Sequence, residues 1–371
     1  MVYNWDHLVE AKRMFSRHLK VKGKNFHKFP GNDVQIGNAI LDNLWNGKYY
    51  KTSLGHYPGF YARDFGMMID PLLDLGKQKE VIATLDYALG IYKKYGGIKT
   101  FINVKGKPVN FPDVYSIDSV AYIFRAMGIV NDKNLIKKYK SFLQSELNKF
   151  NKLAIHPITG EVRRHVHFGG MRDHSKRDSS CYDNVMAAVI SREADFLGLE
   201  NPLSDFDYTK HLLDTYWLGN YFKDDMSNNT LSADANIYPF WLGVVDSKKK
   251  LLQSIVSMKE AHLDKPFPIK YVKNKKIKGD MILAEVFVKD WEADAIWPMS
   301  GLPYIDILGD VDPTHAKMHL NQYKRLIETY GTFIEVYDRM GKPYVSPVFS
   351  ADEGMIWVAL YLSLKKRFNM K

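Results

Sequence analysis

Apolar residues recur at i, i+3, i+4 and i+7 along most of this chain, and this spacing places them on one face of an α-helix. The pattern predicts helices over residues 5–19, 34–46, 65–75, 78–95, 116–128, 132–149, 180–198, 207–218, 249–262, 294–309, 313–330 and 353–367. Two stretches are predicted to be extended. They are 98–109, with a turn at Gly106, and 268–289, where a KKIKGD turn between two apolar runs indicates a β-hairpin insertion.

The predicted helices alternate with long loops, at 50–64, 108–118, 151–180, 225–238, 285–298 and 331–352. About two helices separate each loop from the next, which indicates six helical hairpins whose loops meet on one face. The predicted fold class is therefore all-α, an (α/α)6 toroid with a small β-hairpin insertion. A linear superhelix of helix pairs is the competing architecture, but no repeat of fixed length supports it. Because no Pro/Ser-rich linker divides the chain, residues 1–371 are predicted to form one domain.

The composition is that of a globular protein, with 46% hydrophobic and 25% charged residues among 371. Aromatic residues reach 13%, with 23 Tyr, and tyrosines beyond the needs of the core often line pockets. Cys181 is the one cysteine, so there is no disulfide framework and we expect a cytoplasmic protein. We expect it to be soluble, because no apolar run resembles a signal peptide or approaches the ~20 residues of a membrane span.

The net charge is +10, and lysines cluster at 20–24, 248–250 and 270–278. Such clusters can bind phosphate backbones. Acidic residues are interleaved elsewhere and no nucleic-acid-binding motif is present, so a solvated lysine-rich surface is the favoured interpretation. No nucleotide-binding glycine motif is found.

The segment from Gly55 to Asp70 reads GHYPGFYARDFGMMID. It places Arg63 and Asp64 side by side among aromatic residues, at the start of a predicted helix. One interpretation makes Asp64 a helix cap paired with Arg63. The other is a sugar site, in which aromatic faces stack on the sugar ring and the charged groups bind its hydroxyls.

Carboxylates are concentrated in two of the predicted loops. GGMRDHSKRDSSCYDN holds Asp173, Asp178 and Asp183, and TFIEVYDRMGKPY holds Glu335 and Asp338. Hydrolysis of a glycosidic bond uses two facing carboxyls, one as acid and one to activate water or attack carbon. These loops are predicted to meet, which favours such a pair over isolated caps, surface charges or, for Glu335, a salt bridge to Arg339.

Three histidines, His165, His167 and His174, lie in the same region. They have no carboxylate or cysteine partner at the usual ligand spacing, so no metal site is predicted and no cofactor is expected. Loop histidines that contact substrate or backbone are the favoured interpretation. Cys181 falls at a predicted helix start and is expected to be a packed side chain rather than a nucleophile.

Six segments, in order, resemble the glucosidase domain of glycogen-debranching enzymes (amylo-α-1,6-glucosidases) and the related glucoamylase and trehalase group. Besides the 55–70 segment they are VYSIDSVAYIFRA, HFGGMRDHSKRDSSCYDNVMAA, LSADANIYPFWLG, DAIWPMSGLPY and GTFIEVYDRMGKPYVSPVFSADEGMIWVAL, the last being the closest. That group adopts the (α/α)6 toroid and hydrolyses α-glucosides with inversion. The resemblance implies an exo-acting α-glucosidase that acts on a small oligosaccharide or α-glucoside.

The resemblance also implies roles for individual residues. Asp173 corresponds to the acid of the family's Trp-Met-Asp and Glu335 to its base, while Asp178 remains an alternative acid. Inversion predicts that the two carboxyls lie roughly 6.5–9.5 Å apart. The implied substrate-binding residues are Tyr57, Tyr61, Arg63, Asp64, Asp118, Asn236 and Trp297.

The chain departs from the family at Gly170, Met299 and residues 353–355, where the family has tryptophans and Gln-Ala-Trp. It also lacks the extra domains of debranching enzymes, so glycogen is not the expected substrate. Two other functions remain open. A sugar epimerase on the same toroid would use the three histidines, and a non-catalytic protein would bind carbohydrate or nucleic acid.

Overall fold

The chain is mainly helical in the computed structural model, which describes residues 5–24, 26–173, 175–272 and 288–370. The helices are α1 (Trp5–Lys24), α2 (Asp33–Leu44), α3 (Ala62–Met67), α4 (Ile69–Asp74), α5 (Gln78–Tyr95), α6 (Ile117–Val130), α7 (Lys133–Ala154), α8 (Cys181–Phe196), α9 (Tyr208–Thr215), α10 (Ala233–Trp241), α11 (Lys248–Glu260), α12 (Pro298–Leu308), α13 (Pro313–Tyr330) and α14 (Val358–Arg367). The strands are β1 (Phe60–Tyr61), β2 (Phe101–Ile102), β3 (Pro108–Val109), β4 (Lys223–Asp225) and β5 (Asn228–Leu231).

Among the described helices, every second one from α4 to α14 belongs to a closed cycle of contacts. The pair α3–α4 packs on α6, and the contacts continue through α8, α10, α12 and α14 back to α4. The intervening helices α5, α7, α9, α11, α13 and α2 each pack on members of this cycle from one side. The predicted alternation of helical hairpins therefore has a counterpart in the contacts.

The sequence explains which helices form the cycle. In α6, IDSVAYIFRAMGIV, all residues from Ile117 to Gly128 are buried, and a helix that is apolar nearly all round requires neighbours on every side. Helix α7 is instead strongly amphipathic, with a buried stripe that includes Leu135, Phe142 and Leu147 and lysines on its other face. It can therefore cover the cycle on one face and meet water on the other.

The predicted helices are confirmed with small shifts of their ends, except in two places, and α10 was not predicted, because most of it falls in the predicted loop 225–238. The predicted helix 65–75 is two short helices, α3 and α4. Pro71 lies in the first turn of α4, where its ring and missing N–H prevent continuation from the preceding turn. The predicted helix 353–367 begins only at Val358, because Gly354 has a φ of +62°, a left-handed conformation that an α-helix does not contain.

The extended stretch 98–109 is confirmed. Its strands β2 and β3 pair antiparallel, and β2 also pairs with β1, which leads directly into α3. The β4–β5 hairpin is an addition to the prediction. The predicted insertion at 268–289 falls mostly on residues 273–287, outside the described part of the chain. No described helix is both long and apolar enough to cross a membrane.

Candidate active site

A cavity of about 400 Å³ lies where the predicted loops meet. Five of the six loops contribute residues to its described lining, and 225–238 contributes none. Helix α1 adds Glu10, Ala11 and Met14. Nine aromatic residues line the cavity: Tyr57, Tyr61, Phe101, Phe111, Tyr271, Trp291, Trp297, Phe349 and Trp357. The cavity is thus rich in the flat apolar faces on which sugar rings stack.

Arg63, in the first turn of α3, is the one cation among the described lining residues. Its Nε donates a 2.6 Å hydrogen bond to the Oδ2 atom of Asp118, and its Nη2 donates to the carbonyl of Gly170 and, at 3.2 Å, to Oδ1 of Asp173. These bonds join α3 to α6 and to the loop before α8. Arg63 therefore fixes the position of the candidate acid.

The side chain of Asp173 keeps 24% of its surface exposed. Desolvation raises its pKa to about 7, against the opposing charge of Arg63 and with the help of the charge of Glu292. A carboxyl with this pKa carries a proton in a large fraction of molecules at neutral pH. That is the property a general acid requires.

Glu335 follows α13, in the apolar run from Thr332 to Val336, and is 2% exposed. Its Oε1 accepts a 2.9 Å hydrogen bond from the Tyr57 hydroxyl, and its Oε2 accepts one of 2.8 Å from the backbone N–H of Asp352. Desolvation, then the charge of Asp352, raise its pKa to about 8, although both hydrogen bonds act in the opposite direction. The predicted alternative for this residue, a salt bridge to Arg339, is not among its described contacts.

Asp64 lines the same cavity as the two candidates. Its Oδ1 accepts a 2.8 Å hydrogen bond from the indole N–H of Trp357, and no side chain caps α3. The carboxylate of Asp64 is thus bound by a tryptophan 293 residues away. Desolvation raises its pKa to about 6, although a hydrogen bond from its own backbone N–H in the first turn of α3 acts to lower that pKa. The cap interpretation therefore stays a prediction beside that of a sugar site.

Glu292 was not anticipated from the sequence. It lines the cavity, is 3% exposed and accepts a 2.6 Å hydrogen bond from the hydroxyl of Ser175, two residues after Asp173. Its neighbour Trp291 also lines the cavity. An acid beside an aromatic residue in a long loop is the same signal that marks Asp64, and it would have identified Glu292. Trp357, by contrast, falls within a predicted helix and carried no such signal.

Two of the predicted substrate-binding residues lie outside the described lining. Asp118 is fully buried beneath Arg63 and supports it. Asn236 binds the backbone N–H and carbonyl of Phe222 and the carbonyl of Ser232, all within 2.9 Å. These contacts make Asn236 a residue that fixes the chain before α10. Trp297, Tyr57 and Tyr61 line the cavity as predicted.

The alternative acid, Asp178, lies outside the described lining. It pairs with Arg164 at 2.7 Å and accepts hydrogen bonds from the backbone of His165 and the hydroxyl of Ser227. Although partial burial opposes them, these partners lower its pKa to about 2, so it is ionised at neutral pH. Asp183 and Asp338 also lie outside this lining.

The described histidines of this region, His165 and His167, do not line the cavity. His174 lies outside the described residues. Within the described ranges, no three His, Cys, Asp or Glu residues are grouped so as to hold a metal ion. Cys181 is buried at the start of α8, as expected of a packed side chain.

The fold is similar to those of solved glycosidases. A rhamnosidase from Klebsiella oxytoca with rhamnose bound has a TM-score of 0.65 and 10% identity over 93% of this chain and 66% of that chain. A wild-type glycosidase has a TM-score of 0.69 and 10% identity over 99% of both chains. A GH63 mannosylglycerate hydrolase from Thermus thermophilus, in complex with Tris and D-glycerate, has a TM-score of 0.57 and 12% identity over 88% and 99%.

These similarities confirm that the chain has a fold found in glycoside hydrolases. At 10–12% identity they describe the fold alone. This chain spans just under two thirds of the rhamnosidase's length. No protein-family model matches the sequence, and no curated protein sequence matches it either.

Proposed function

We propose that this protein is an exo-acting, inverting glycoside hydrolase built on an (α/α)6 toroid, with α-glucosidase activity on a small oligosaccharide or α-glucoside. The observation that carries the proposal is that Asp173 and Glu335, selected from distant segments, line one aromatic-rich cavity. The closed cycle of alternate helices supports the toroid. Preference for glucose rests on the resemblance to debranching-enzyme glucosidases.

In the proposed reaction Asp173 donates its proton to the glycosidic oxygen as the bond to the anomeric carbon breaks. Glu335 accepts a proton from a water molecule that attacks the same carbon from the opposite face. Arg63 holds Asp173 in place, and Tyr57 orients Glu335. Asp64, with Trp357 behind it, is proposed to bind hydroxyls of the terminal sugar.

The two pKa values restrict when this mechanism can operate. Asp173 must keep its proton, which favours pH below about 7, and Glu335 must lose its own, which favours pH above about 8. Only a minority of molecules therefore hold a protonated Asp173 and an ionised Glu335 at the same time. Their fraction is largest near pH 7.5, midway between the two pKa values. The opposite assignment of acid and base has the same optimum, so the roles require a separate test.

The test is a panel of aryl and natural glycosides of glucose, mannose and rhamnose, followed by NMR of the anomer first released. Inversion of an α-glucoside releases β-glucose, so initial release of α-glucose would exclude the proposed stereochemistry. The acid is identified by leaving-group dependence. Asp173→Asn should slow natural glycosides far more than nitrophenyl glycosides, whose leaving groups need little protonation. If no member of the panel is hydrolysed, the proposed activity is wrong.

A further inference from the structure

The buried carboxylate of Asp352 lies outside the described lining of the cavity, yet it contacts the segments that hold Glu335. We propose that Asp352 is a positioning residue for Glu335, which fixes both oxygens of that carboxyl and places a second carboxylate beside it. The inference rests on the proposed function only in giving Glu335 a role as base.

The first link is direct. The backbone N–H of Glu335 donates to the carbonyl of Asp352 at 3.0 Å, and the backbone N–H of Asp352 donates to Oε2 of Glu335 at 2.8 Å. Residue 352 thus holds both the main chain and one carboxyl oxygen of Glu335. This link does not depend on the side chain of Asp352.

The second link runs through the side chain. Oδ2 of Asp352 accepts hydrogen bonds from the backbone N–H groups of His56, at 2.6 Å, and Tyr57, at 3.3 Å, and from the hydroxyl of Ser53. Tyr57 in turn donates its hydroxyl to Oε1 of Glu335. The carboxylate of Asp352 therefore fixes the turn that presents Tyr57 to the other oxygen of Glu335.

This arrangement explains why residue 55 is a glycine. A Cβ atom at Gly55 would collide with Oδ1 of Asp352, so no side chain fits there without movement of the carboxylate. The same Oδ1 atom lies 3.5 Å from Nε of Arg17, on α1. Asp352 thus ties three segments together, α1, the 53–57 turn and the segment of Glu335.

The charge of Asp352 also acts on Glu335. The titratable groups that face Glu335 are Asp352, Asp64 and Tyr57. Both carboxylates raise the pKa of Glu335, with Asp352 the stronger, and the Tyr57 hydroxyl lowers it. Removal of the negative charge at position 352 should therefore lower the pKa of Glu335 and move its limb of the pH–rate profile to lower pH.

Two substitutions separate position from charge. Asp352→Ala removes the acceptor for the 53–57 turn and should reduce the pH-independent kcat on the order of 10- to 100-fold, with KM nearly unchanged, because the base is misplaced. Asp352→Asn keeps an oxygen for the same three donors and removes the charge, while its NH₂ group replaces the oxygen that faces Arg17. This variant should keep most of the wild-type kcat, and the limb of its pH–rate profile that reports Glu335 should move to lower pH.

Asp338→Asn is the matched control. It removes the same charge three residues from Glu335. The carboxylate of Asp338 lies outside the described lining of the cavity and accepts hydrogen bonds from the backbone of Met340 and Lys342. Its pH–rate profile should equal that of the wild type. A shift equal to that of Asp352→Asn would overturn the proposal, because any nearby charge would then have the same effect.

A titration of the Glu335 carboxyl by ¹³C NMR needs no substrate, so it separates failure of this inference from failure of the proposed hydrolase activity. An unchanged pKa of Glu335 in Asp352→Asn overturns the inference, as does wild-type kcat in Asp352→Ala. If the alanine variant does not fold, the asparagine titration alone decides.

Discussion

Replacement of Glu335 by glutamine should reduce activity and increase stability at the same time. The structure accommodates the amide. Its oxygen can accept from the backbone N–H of Asp352, and its NH₂ group can donate to the oxygen of Tyr57, because a tyrosine hydroxyl both donates and accepts. The variant should therefore fold and keep its cavity. Without a group that accepts a proton from water, kcat should fall on the order of 10²- to 10⁴-fold, with KM largely retained.

The gain in stability follows from the pKa of Glu335. The ordinary value is 4.5, and burial raises it to about 8 in the folded chain. The folded state thus holds a proton at pH 7 that the unfolded state has released, and at 1.36 kcal/mol per pKa unit this costs on the order of 3 kcal/mol at pH 7. Glutamine does not titrate, so the variant does not lose this stability. For a chain of 371 residues the expected increase in Tm is about 4 °C.

The sign of the effect sets its pH dependence. A carboxyl whose pKa is raised by folding does not reduce the free energy of unfolding below pH 4.5, and the reduction grows as pH rises to about 8. Thermal melting of both proteins at pH 4.5, 6, 7 and 8 should therefore show a difference that is absent at the lowest pH and largest at the highest. Hydrolysis of the best substrate by the variant within tenfold of the wild-type rate would refute the base assignment. Equal Tm values at pH 8 would refute the argument from burial.

Four further predictions concern the cavity and the residues predicted to line it. Asp173→Asn should lower kcat for natural glycosides on the order of 10²- to 10⁴-fold but should lower it much less for aryl glycosides, whose leaving groups are activated. Equal losses of kcat on natural and aryl glycosides would contradict an acid role. Asp64→Ala should raise KM and lower kcat together, because it removes a proposed sugar ligand and leaves the Trp357 indole without its acceptor; normal kinetics with a lower Tm would indicate a structural role. The wild-type kcat/KM should follow a bell with limbs near pH 7 and 8, and a flat profile from pH 5 to 9 would exclude the two carboxyls as the titrating pair. Asn236→Ala should reduce the free energy of unfolding by about 1–3 kcal/mol, since backbone groups lose buried partners, and a changed KM would restore Asn236 as a ligand residue.

Part of the site could be recognised from the sequence because its signals are local. Arg63 and Asp64 stand beside aromatic residues, and Asp173 and Glu335 belong to a set of five loop carboxylates from which the family resemblance selects these two. The first of these signals is visible within a few residues. All four line the cavity that the structure reveals.

The sequence also misplaced Asn236 and missed Trp357, because their deciding contacts form only in the folded chain. Asn236 lies in a motif that resembles a substrate-binding segment, but its amide is satisfied by the backbone of Phe222. Trp357 falls in a predicted helix, yet its indole reaches Asp64 across 293 residues. No pattern of neighbouring residues reports such partners.

The sequence by itself determined the helical character of the chain, most of the order of helices and loops, and the types of residue available for chemistry; it did not predict α10. It could do so because helical periodicity, proline and glycine act within one or two turns of chain. Only the tertiary structure decided which loops face the cavity, that Asp352 and Glu335 are hydrogen-bonded, and that burial raises the pKa of the cavity residues Asp64, Asp173 and Glu335. Burial and charge depend on all neighbours in space, and Tyr57 meets Glu335 across 278 residues of chain.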